Sequence, residues 1–300
     1  MSLQNNNEFL NSLKSTETEE FIDIWFYRPI GYRWALAAKK LHITPNQITV
    51  LSIIIGVAAA YCFCFNDLWK NIAGVLLLVW ANTYDSADGQ LARMTNQKSE
   101  MGRILDGAGG FIWFIAIYIA IILRSWLEWS WLGFVVALVS GYCHGTQTAI
   151  ADYYRNAWLF YKKGKAGSES DNSADLKKRY RLISFHKRPI IKIFETFYII
   201  YTVSQERLTP NFQKLKADLR DKYESDIPKS FADAFCTLTK PLLVYTNLLT
   251  FNFRSLVLFA CILTNHPIYY FFFELTVMNL MLIYLIFRHE RSCRALLQIQ

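Results

Sequence analysis

The sequence lacks the features of several common protein classes. Its six cysteines include no CxxC pair of the kind that binds a metal, and no nucleic-acid-binding motif accompanies its formal net charge of +8. Residues 1–20 are polar and contain no apolar central region, which argues against a cleavable signal peptide. We therefore expect reduced structural thiols, no nucleic-acid partner, and a flexible cytosolic tail at residues 1–20.

Apolar residues dominate what remains. They make up 53% of the chain and form runs near the ~20 residues that an α-helix needs to cross a bilayer. The sequence predicts an all-α integral membrane bundle of six transmembrane helices. The first span opens at Pro45, with Thr44 as its N-cap, and the others are predicted at residues 72–94, 102–123, 131–151, 241–263 and 267–287.

Two further segments lie outside these spans. Residues 21–41 mix aromatic and basic side chains, as expected of an N-terminal interfacial helix that lies along the membrane surface. Residues 156–240 form an insert with 17 Lys or Arg and 10 Asp or Glu, which starts with a loop-like segment at 164–181 and should be attracted to anionic lipid headgroups. Within this insert, residues 190–203 are apolar but short and carry Lys192 and Glu195, which favours a surface helix over another crossing.

The basic residues also predict the orientation of the chain. Lys70 and Arg124 are the only ones, out of 32 Lys and Arg, that this assignment places in outer loops. Basic loops stay on the cytosolic side of a membrane, so both termini are expected there. The predicted regions are a tail at 1–20, an interfacial helix with spans one to four at 21–155, a basic cytosolic insert at 156–240, and the last two spans with a cytosolic tail at 241–300.

Three carboxylates occur where apolar segments meet polar ones, between residues 85 and 110. On a helix, Asp85 and Asp88 share one face with the small residue Ala92. Gly102 and Asp106 lie four residues apart on the following helix and would present a third carboxylate to the same place. Mg²⁺ and Mn²⁺ prefer oxygen ligands together with substrate phosphates, so the pattern indicates a metal site for a phosphorylated substrate.

The pattern resembles the signature of the CDP-alcohol phosphotransferase (CDP-alcohol phosphatidyltransferase) family. That signature reads Asp-x-x-Asp-Gly-x-x-Ala-Arg and then, after a spacer, Gly-x-x-x-Asp-x-x-x-Asp. The sequence TPNQIT at the start of the first span is similar to a common entry in the family. The matching residues are Asp85, Asp88, Gly89, Ala92, Arg93, Gly102 and Asp106, and the last motif position is occupied by Gly110.

The resemblance implies an integral membrane enzyme of phospholipid synthesis. A CDP-linked lipid or alcohol, with CDP-diacylglycerol favoured, would donate a phosphatidyl or phospho-alcohol group to an alcohol acceptor at the cytosolic face and release CMP. Membrane lipids are the other expected partners, and a homodimer is left open. By resemblance, Mg²⁺ or Mn²⁺ would be held by Asp85, Asp88 and Asp106, while the nucleotide and its phosphates would be bordered by Asn46, Asp85, Asp88, Gly89, Ala92, Arg93 and Gly102.

Two of these residues have simpler interpretations. Asn46 follows a Thr-Pro pair, and helix capping explains such a sequence as well as nucleotide binding does. Arg93 could anchor the end of the helix among lipid headgroups, although beside carboxylates it is well placed to bind phosphate oxygens.

Gly110 is the departure from the family pattern. In the family, an aspartate at this position helps to hold the metals and is assigned as the base that activates the attacking hydroxyl, and glycine can do neither. Another residue could supply the base, the protein could be a catalytically silent relative that binds nucleotide or lipid, or position 110 could have been altered. A transporter is disfavoured, because the carboxylates cluster at one membrane face and no paired repeat of broken spans is present.

Four polar residues elsewhere have open roles. His144 and Asp152 lie near the cytosolic end of the fourth predicted span and are candidates for the missing base, with a structural histidine as the alternative. Arg254 could bind an acceptor phosphate or lie at the membrane interface. Glu274 is expected to be a packing polar group inside the sixth span.

Overall fold

A computed structural model describes residues 9, 15, 17–97, 100–164, 172–223 and 227–299 of the 300-residue chain. The side chains of residues 100, 101, 103, 106 and 299 lie outside this description. Within it the chain is helical and contains no β-strand, so the all-α prediction is confirmed. The six cysteines are free thiols, as expected.

The helices follow one another with short connections. A π-helical turn at Asp23–Tyr27 leads directly into the first α-helix. Short 3₁₀ and π turns lie at Lys240–Leu242 and Glu274–Met278. The α-helices are α1 (Arg28–Lys40), α2 (Pro45–Phe63), α3 (Leu68–Thr95), α4 (Glu100–Arg124), α5 (Trp126–Lys163), α6 (Ser173–Leu182), α7 (Pro189–Leu208), α8 (Pro210–Tyr223), α9 (Lys229–Thr239), α10 (Leu243–Leu248), α11 (Phe251–Leu263), α12 (Tyr269–Phe273) and α13 (Asn279–Ile299).

Four stretches of the described helices are long and apolar enough to cross a membrane. They are Pro45–Phe63, Gly107–Arg124, Lys229–Leu263 and Tyr269–Gln298. These overlap the first, third, fifth and sixth predicted spans. The predicted second and fourth spans lie in α3 and α5, so the count of six stays a prediction.

One predicted span is less regular than the sequence suggested, and another begins at a break in its helix. In the fifth predicted span, the helix ends at Leu248 and a new helix begins at Phe251, which gives α10 and α11. In α5, Ser130 has a positive φ of 45°, so regular helix resumes at Trp131, where the fourth span was predicted to begin. The insert contains α6, α7, α8 and α9, and the first of these occupies part of a segment that reads as a loop.

The chain divides into two compact units. The first comprises Met1–Gly141 and Ser255–Phe272, and the second comprises Tyr142–Arg254 and Phe273–Gln300. These limits differ from the four regions drawn from the sequence, whose boundaries stay a prediction. The metal-type motif belongs to the first unit.

Close backbone packing joins α2, α3 and α4 in the first unit. A Cβ atom added to Gly56 of α2 would lie 2.2 Å from the Trp113 ring of α4, and one added to Gly74 of α3 would lie 2.6 Å from Phe63. The Trp113 indole is buried and donates to the backbone oxygen of Ser52 at 3.1 Å. These contacts fix the positions of the two helices that carry the motif.

In the second unit, Glu290 of α13 holds the start of α8. Its two carboxylate oxygens accept the backbone N–H groups of Asn211 and Phe212 at 2.6 and 3.3 Å. Such bonds satisfy donors that a helix N-terminus leaves open, and the negative charge is favourable there. Phe212 and Phe235 pack nearby in the core of this unit.

We predict that Gly56→Ala destabilises the protein, because the new methyl group would overlap the buried Trp113 ring. Overpacking of this kind typically costs about 1–3 kcal/mol. The measurement is the thermal unfolding temperature of the protein in detergent. Gly107→Ala is the control, since a Cβ there has no neighbour within 4 Å in the part of the chain that the structure describes. Equal unfolding temperatures for the two variants would contradict the prediction.

Candidate functional site

The two halves of the motif lie on consecutive helices. Asp85, Asp88 and Arg93 lie in the last turns of α3, and the glycine-rich half begins α4. Helix α3 stops because Asn96 adopts the left-handed conformation, with φ of 52°, and its N–H bonds to Ala92 O. Asn is one of the few residues that take this C-terminal conformation readily.

Asp88 is the buried member of the carboxylate pair. It is 3% exposed, and its Oδ2 accepts a hydrogen bond from the Thr49 hydroxyl of α2 at 2.5 Å. A buried carboxylate is costly without such donors. The sequence alone did not single out Thr49, although it lies one turn after Pro45 on the predicted first span.

Asp85 is half-buried and faces α4. A Cβ added to Gly109 would lie 3.8 Å from Asp85 Oδ1, which places this carboxylate beside the glycine-rich turn of α4. The absence of a side chain at Gly109 keeps that space available. The structure therefore brings Asp85 of the first motif half next to the second half.

Arg93 folds back along its own helix towards Gly89. A Cβ on Gly89 would lie 3.5 Å from both terminal nitrogens of the guanidinium. Ala92 and Gly102, two small residues of the motif, are also half-buried. A guanidinium on the same helix as two carboxylates can pair with phosphate oxygens through two parallel hydrogen bonds.

Asn46 lies half-buried in the first turn of α2. That turn is capped by its neighbours, because the Gln47 side-chain oxygen accepts the Thr44 backbone N–H at 2.8 Å. The capping interpretation of TPNQ thus holds for Thr44 and Gln47. A role for Asn46 at the nucleotide stays a prediction.

Gly110 borders open space. A Cβ added at Gly110 or at Gly107 meets no atom of the described residues within 4 Å. A larger side chain would therefore fit on α4 at the position where the family has its last aspartate. The backbone of Asp106 is helical, but its side chain lies outside the described residues, so its place in a metal site stays a prediction.

The segment before α2 reaches the motif helix, which sequence reasoning did not anticipate. Arg28 pairs with Glu19 at 2.6 Å and donates to the Ser86 hydroxyl at 3.3 Å, next to Asp85. Gln90 donates to the Arg28 backbone oxygen at 3.2 Å. The signal that was available is the tight spacing of basic and aromatic residues before the first span.

Tyr27 is a second anchor of this segment. Burial raises the pKa of the Tyr27 hydroxyl, and its hydrogen bond with Asn82 of α3 works in the opposite direction. The phenol therefore stays neutral and fixed against the motif helix.

The polar residues of the second unit form other arrangements. Arg254 and Glu274 are fully buried and form a short ion pair, and Arg254 also donates to Gln147 Oε1 at 3.0 Å. Glu274 is therefore the packing polar group expected of it, and Arg254 has a structural partner that the sequence did not suggest. Asp152 accepts from the Tyr201 hydroxyl at 3.3 Å, and His144 is buried.

One further group of metal-ligand residue types occurs in the second unit. Ligand atoms of His289, Glu290 and Cys293 lie within 4.8 Å of one another. The Glu290 oxygens already accept backbone N–H groups at the N-terminus of α8. The His289 ring stacks on the Tyr154 ring, with 3.6 Å between the ring centroids. These contacts give the group a structural role in the core.

The motif and its setting can be compared with known proteins. Residues 42–158 match the family model of CDP-alcohol phosphatidyltransferase. The resemblance inferred from the motif is thereby confirmed, and the matched stretch includes α2, α3, α4 and most of α5. Both halves of the motif lie inside it.

Curated relatives point the same way. The chain is 35% identical over 91 residues to an archaetidylinositol phosphate synthase of Pyrococcus horikoshii, covering 30% of this chain and 47% of that protein. It is 29% identical over 105 residues to a protein of Mycobacterium tuberculosis named as a cardiolipin synthase, covering 35% of this chain and 48% of that protein. The chain thus spans about half the length of the curated relatives it matches.

We predict that Thr49→Val destabilises the site by removing the donor to Asp88 while keeping the shape of the side chain. Removing one partner of a buried hydrogen bond costs about 1–3 kcal/mol. The measurement is thermal unfolding in detergent, with and without Mn²⁺. Thr49→Ser keeps the hydroxyl and should behave like the unmodified protein; if the Val and Ser variants unfold alike, the hydrogen bond is unimportant.

Proposed function

We propose that this protein is an integral membrane CDP-alcohol phosphotransferase of phospholipid synthesis. It would transfer a phosphatidyl or phospho-alcohol group from a CDP-linked donor, with CDP-diacylglycerol favoured, to an alcohol acceptor. The observation that carries the proposal is the position of Asp85 beside the glycine-rich turn of α4, with Asp88 three residues further along α3, inside the stretch that matches the family. The names of the relatives support phospholipid synthesis as the setting.

The residues present fit a divalent cation. Asp85 and Asp88 supply carboxylate oxygens, and the glycines of α4 leave space beside Asp85 for phosphate groups. Asp85, Asp88 and Asp106 would hold Mg²⁺ or Mn²⁺, for which oxygen is the preferred ligand. When bound, the metal would neutralise charge on the pyrophosphate and favour in-line displacement at the transferred phosphorus.

The other residues of the motif would position the donor. Arg93 would pair with phosphate oxygens, and Gly89 leaves the guanidinium room to lie close to the helix. Thr49 would hold Asp88 in one rotamer, so that its second oxygen stays directed to the site. Asn46, Ala92 and Gly102 would border the nucleotide.

The transfer requires a base. The acceptor oxygen forms a bond to phosphorus, the bond to the CMP oxygen breaks, and the hydroxyl proton of the acceptor has to be taken up. An aspartate at position 110 would serve, and a missing general base typically slows a reaction by ~10²–10⁴-fold. Gly110 therefore makes slow turnover, or binding of nucleotide or lipid without turnover, the specific alternative to test.

The setting in the membrane is part of the proposal. Six spans, with both termini and the motif turn on the cytosolic side, agree with the basic residues of the loops. A homodimer also remains part of the hypothesis. Labelling of introduced cysteines from each side of sealed vesicles tests the orientation.

We predict that Asp88→Asn lowers metal-dependent CMP release from CDP-diacylglycerol by at least ~10²-fold, because the ligand charge beside the pyrophosphate is lost. CMP is measured with purified protein and a panel of alcohol acceptors. Glu128→Gln, which changes an exposed carboxylate at the start of α5, is the control and should keep full activity. Unchanged CMP release in Asp88→Asn would overturn the proposal.

We also predict that Gly110→Asp raises the rate of CMP release by ~10²-fold or more, because it restores a base in space that is open. Gly110→Asn has the same shape without the base and should leave the rate low. If Gly110→Asp still binds Mn²⁺ but is no faster, another residue supplies the base. If no variant releases CMP but all bind CDP, the protein is a binding member of the family.

A further inference from the structure

Helix α7, in the insert, has its polarity reversed relative to an ordinary surface helix. Its outward face is apolar: Ile190 is 60% exposed, Ile193 49%, Phe197 67% and Ile200 59%. The face turned to the protein is polar, with Glu195, Thr202 and Gln205 buried. In water a helix of a globular protein arranges these faces the other way round.

The apolar residues form one continuous row. Their spacing of three, four and three residues places the four side chains above one another on the same side of the helix. Leu182 at the end of α6 and Phe185 in the connection to α7 are also exposed. Such a contiguous apolar surface marks a site of contact with lipid or another protein.

The polar groups of α7 are paired within the second unit and leave the row uncharged. Glu195 pairs with Arg179 of α6 at 2.6 Å, and Gln205 donates to the Ala149 backbone oxygen at 2.7 Å. Lys192 donates to the Ile183 backbone oxygen at 2.7 Å and lies over the Tyr180 ring. Burial of the row in an apolar phase therefore leaves these polar groups with their partners.

Basic side chains occur at one end of the row. Lys187 and Arg188 are exposed immediately before α7 begins at Pro189, and His186 precedes them. An apolar row with cationic residues beside it complements a membrane surface, where acyl chains lie beneath anionic phosphates. A protein partner would need a matching groove, whereas the four stretches of this chain that are apolar enough to cross a membrane already favour lipid as the neighbour.

We propose that the α6–α7 hairpin docks into a bilayer leaflet that contains anionic lipid. Ile190, Ile193, Phe197 and Ile200 lie among the upper acyl chains, and Lys187 and Arg188 bind lipid phosphates. This inference does not depend on the catalytic proposal. The contact of the basic insert with anionic lipid is thereby assigned to one face of α7 and to the two basic residues before it.

The test is photo-crosslinking of the full chain in vesicles of phosphatidylglycerol and phosphatidylcholine. Phe197 is replaced by p-benzoylphenylalanine, whose excited ketone takes a hydrogen from a neighbouring C–H and joins its carbon. Ile115, exposed on the apolar span α4, is the positive control, and Ala217, exposed on α8, is the negative control. We expect phospholipid adducts at 197 as at 115, and several-fold fewer at 217.

The outcomes separate the possible occupants. Adducts with a second copy of this chain, or a yield at 197 as low as at 217, would overturn the proposal. Lys187→Gln with Arg188→Gln tests the charge: the excess of phosphatidylglycerol over phosphatidylcholine among the adducts should fall by about fivefold for each basic residue removed. An unchanged excess would show that these residues do not bind the phosphates. Activity is not needed for either readout.

Discussion

A carboxylate inside an apolar helix has to be satisfied by its neighbours, and the first unit is built around that requirement. On α2, Thr49 binds Asp88, Ser52 accepts the Trp113 indole, and Gly56 gives the Trp113 ring its place. The three residues are spaced by three and four, so they lie on one face of a helix that is otherwise apolar. A single stripe of small and polar residues therefore sets the positions of both helices of the motif.

The second unit satisfies its buried charge differently. Arg254 and Glu274 form an ion pair with both side chains excluded from solvent, and Gln147 bonds to Arg254, to the Glu274 backbone and to Asn279. Removing one member of such a pair leaves an uncompensated buried charge, which is far more costly than exchanging both. Helices that are interrupted in the structure are held together here by polar contacts, so an intramembrane charge in this chain is not by itself a sign of chemistry.

Much of the architecture could be predicted from the sequence because its signals are local. Pro45 after a capping Thr44 marked the start of α2, the apolar runs marked the four stretches long enough to cross a membrane, and the spaced carboxylates indicated the resemblance to the family. The contacts that complete the site are non-local and left no pattern: Thr49 with Asp88 spans 39 positions, and Arg28 with Ser86 spans 58. The break between α10 and α11 escaped prediction because apolarity reports burial in lipid and says little about helix continuity. The start of α6 was read as loop because Asn172, which caps it, is also typical of turns.

The contact between Glu19 and Arg28 changes how the beginning of the chain should be regarded. Glu19 falls in the segment that composition alone describes as a tail, yet its carboxylate is buried and bound to a residue that touches the motif helix. A chain that begins after residue 20 would leave Arg28 without this counterion. Arg28 is hydrogen-bonded to Ser86, which is next to Asp85 in the sequence. A fragment that keeps this counterion for Arg28 therefore has to include Glu19.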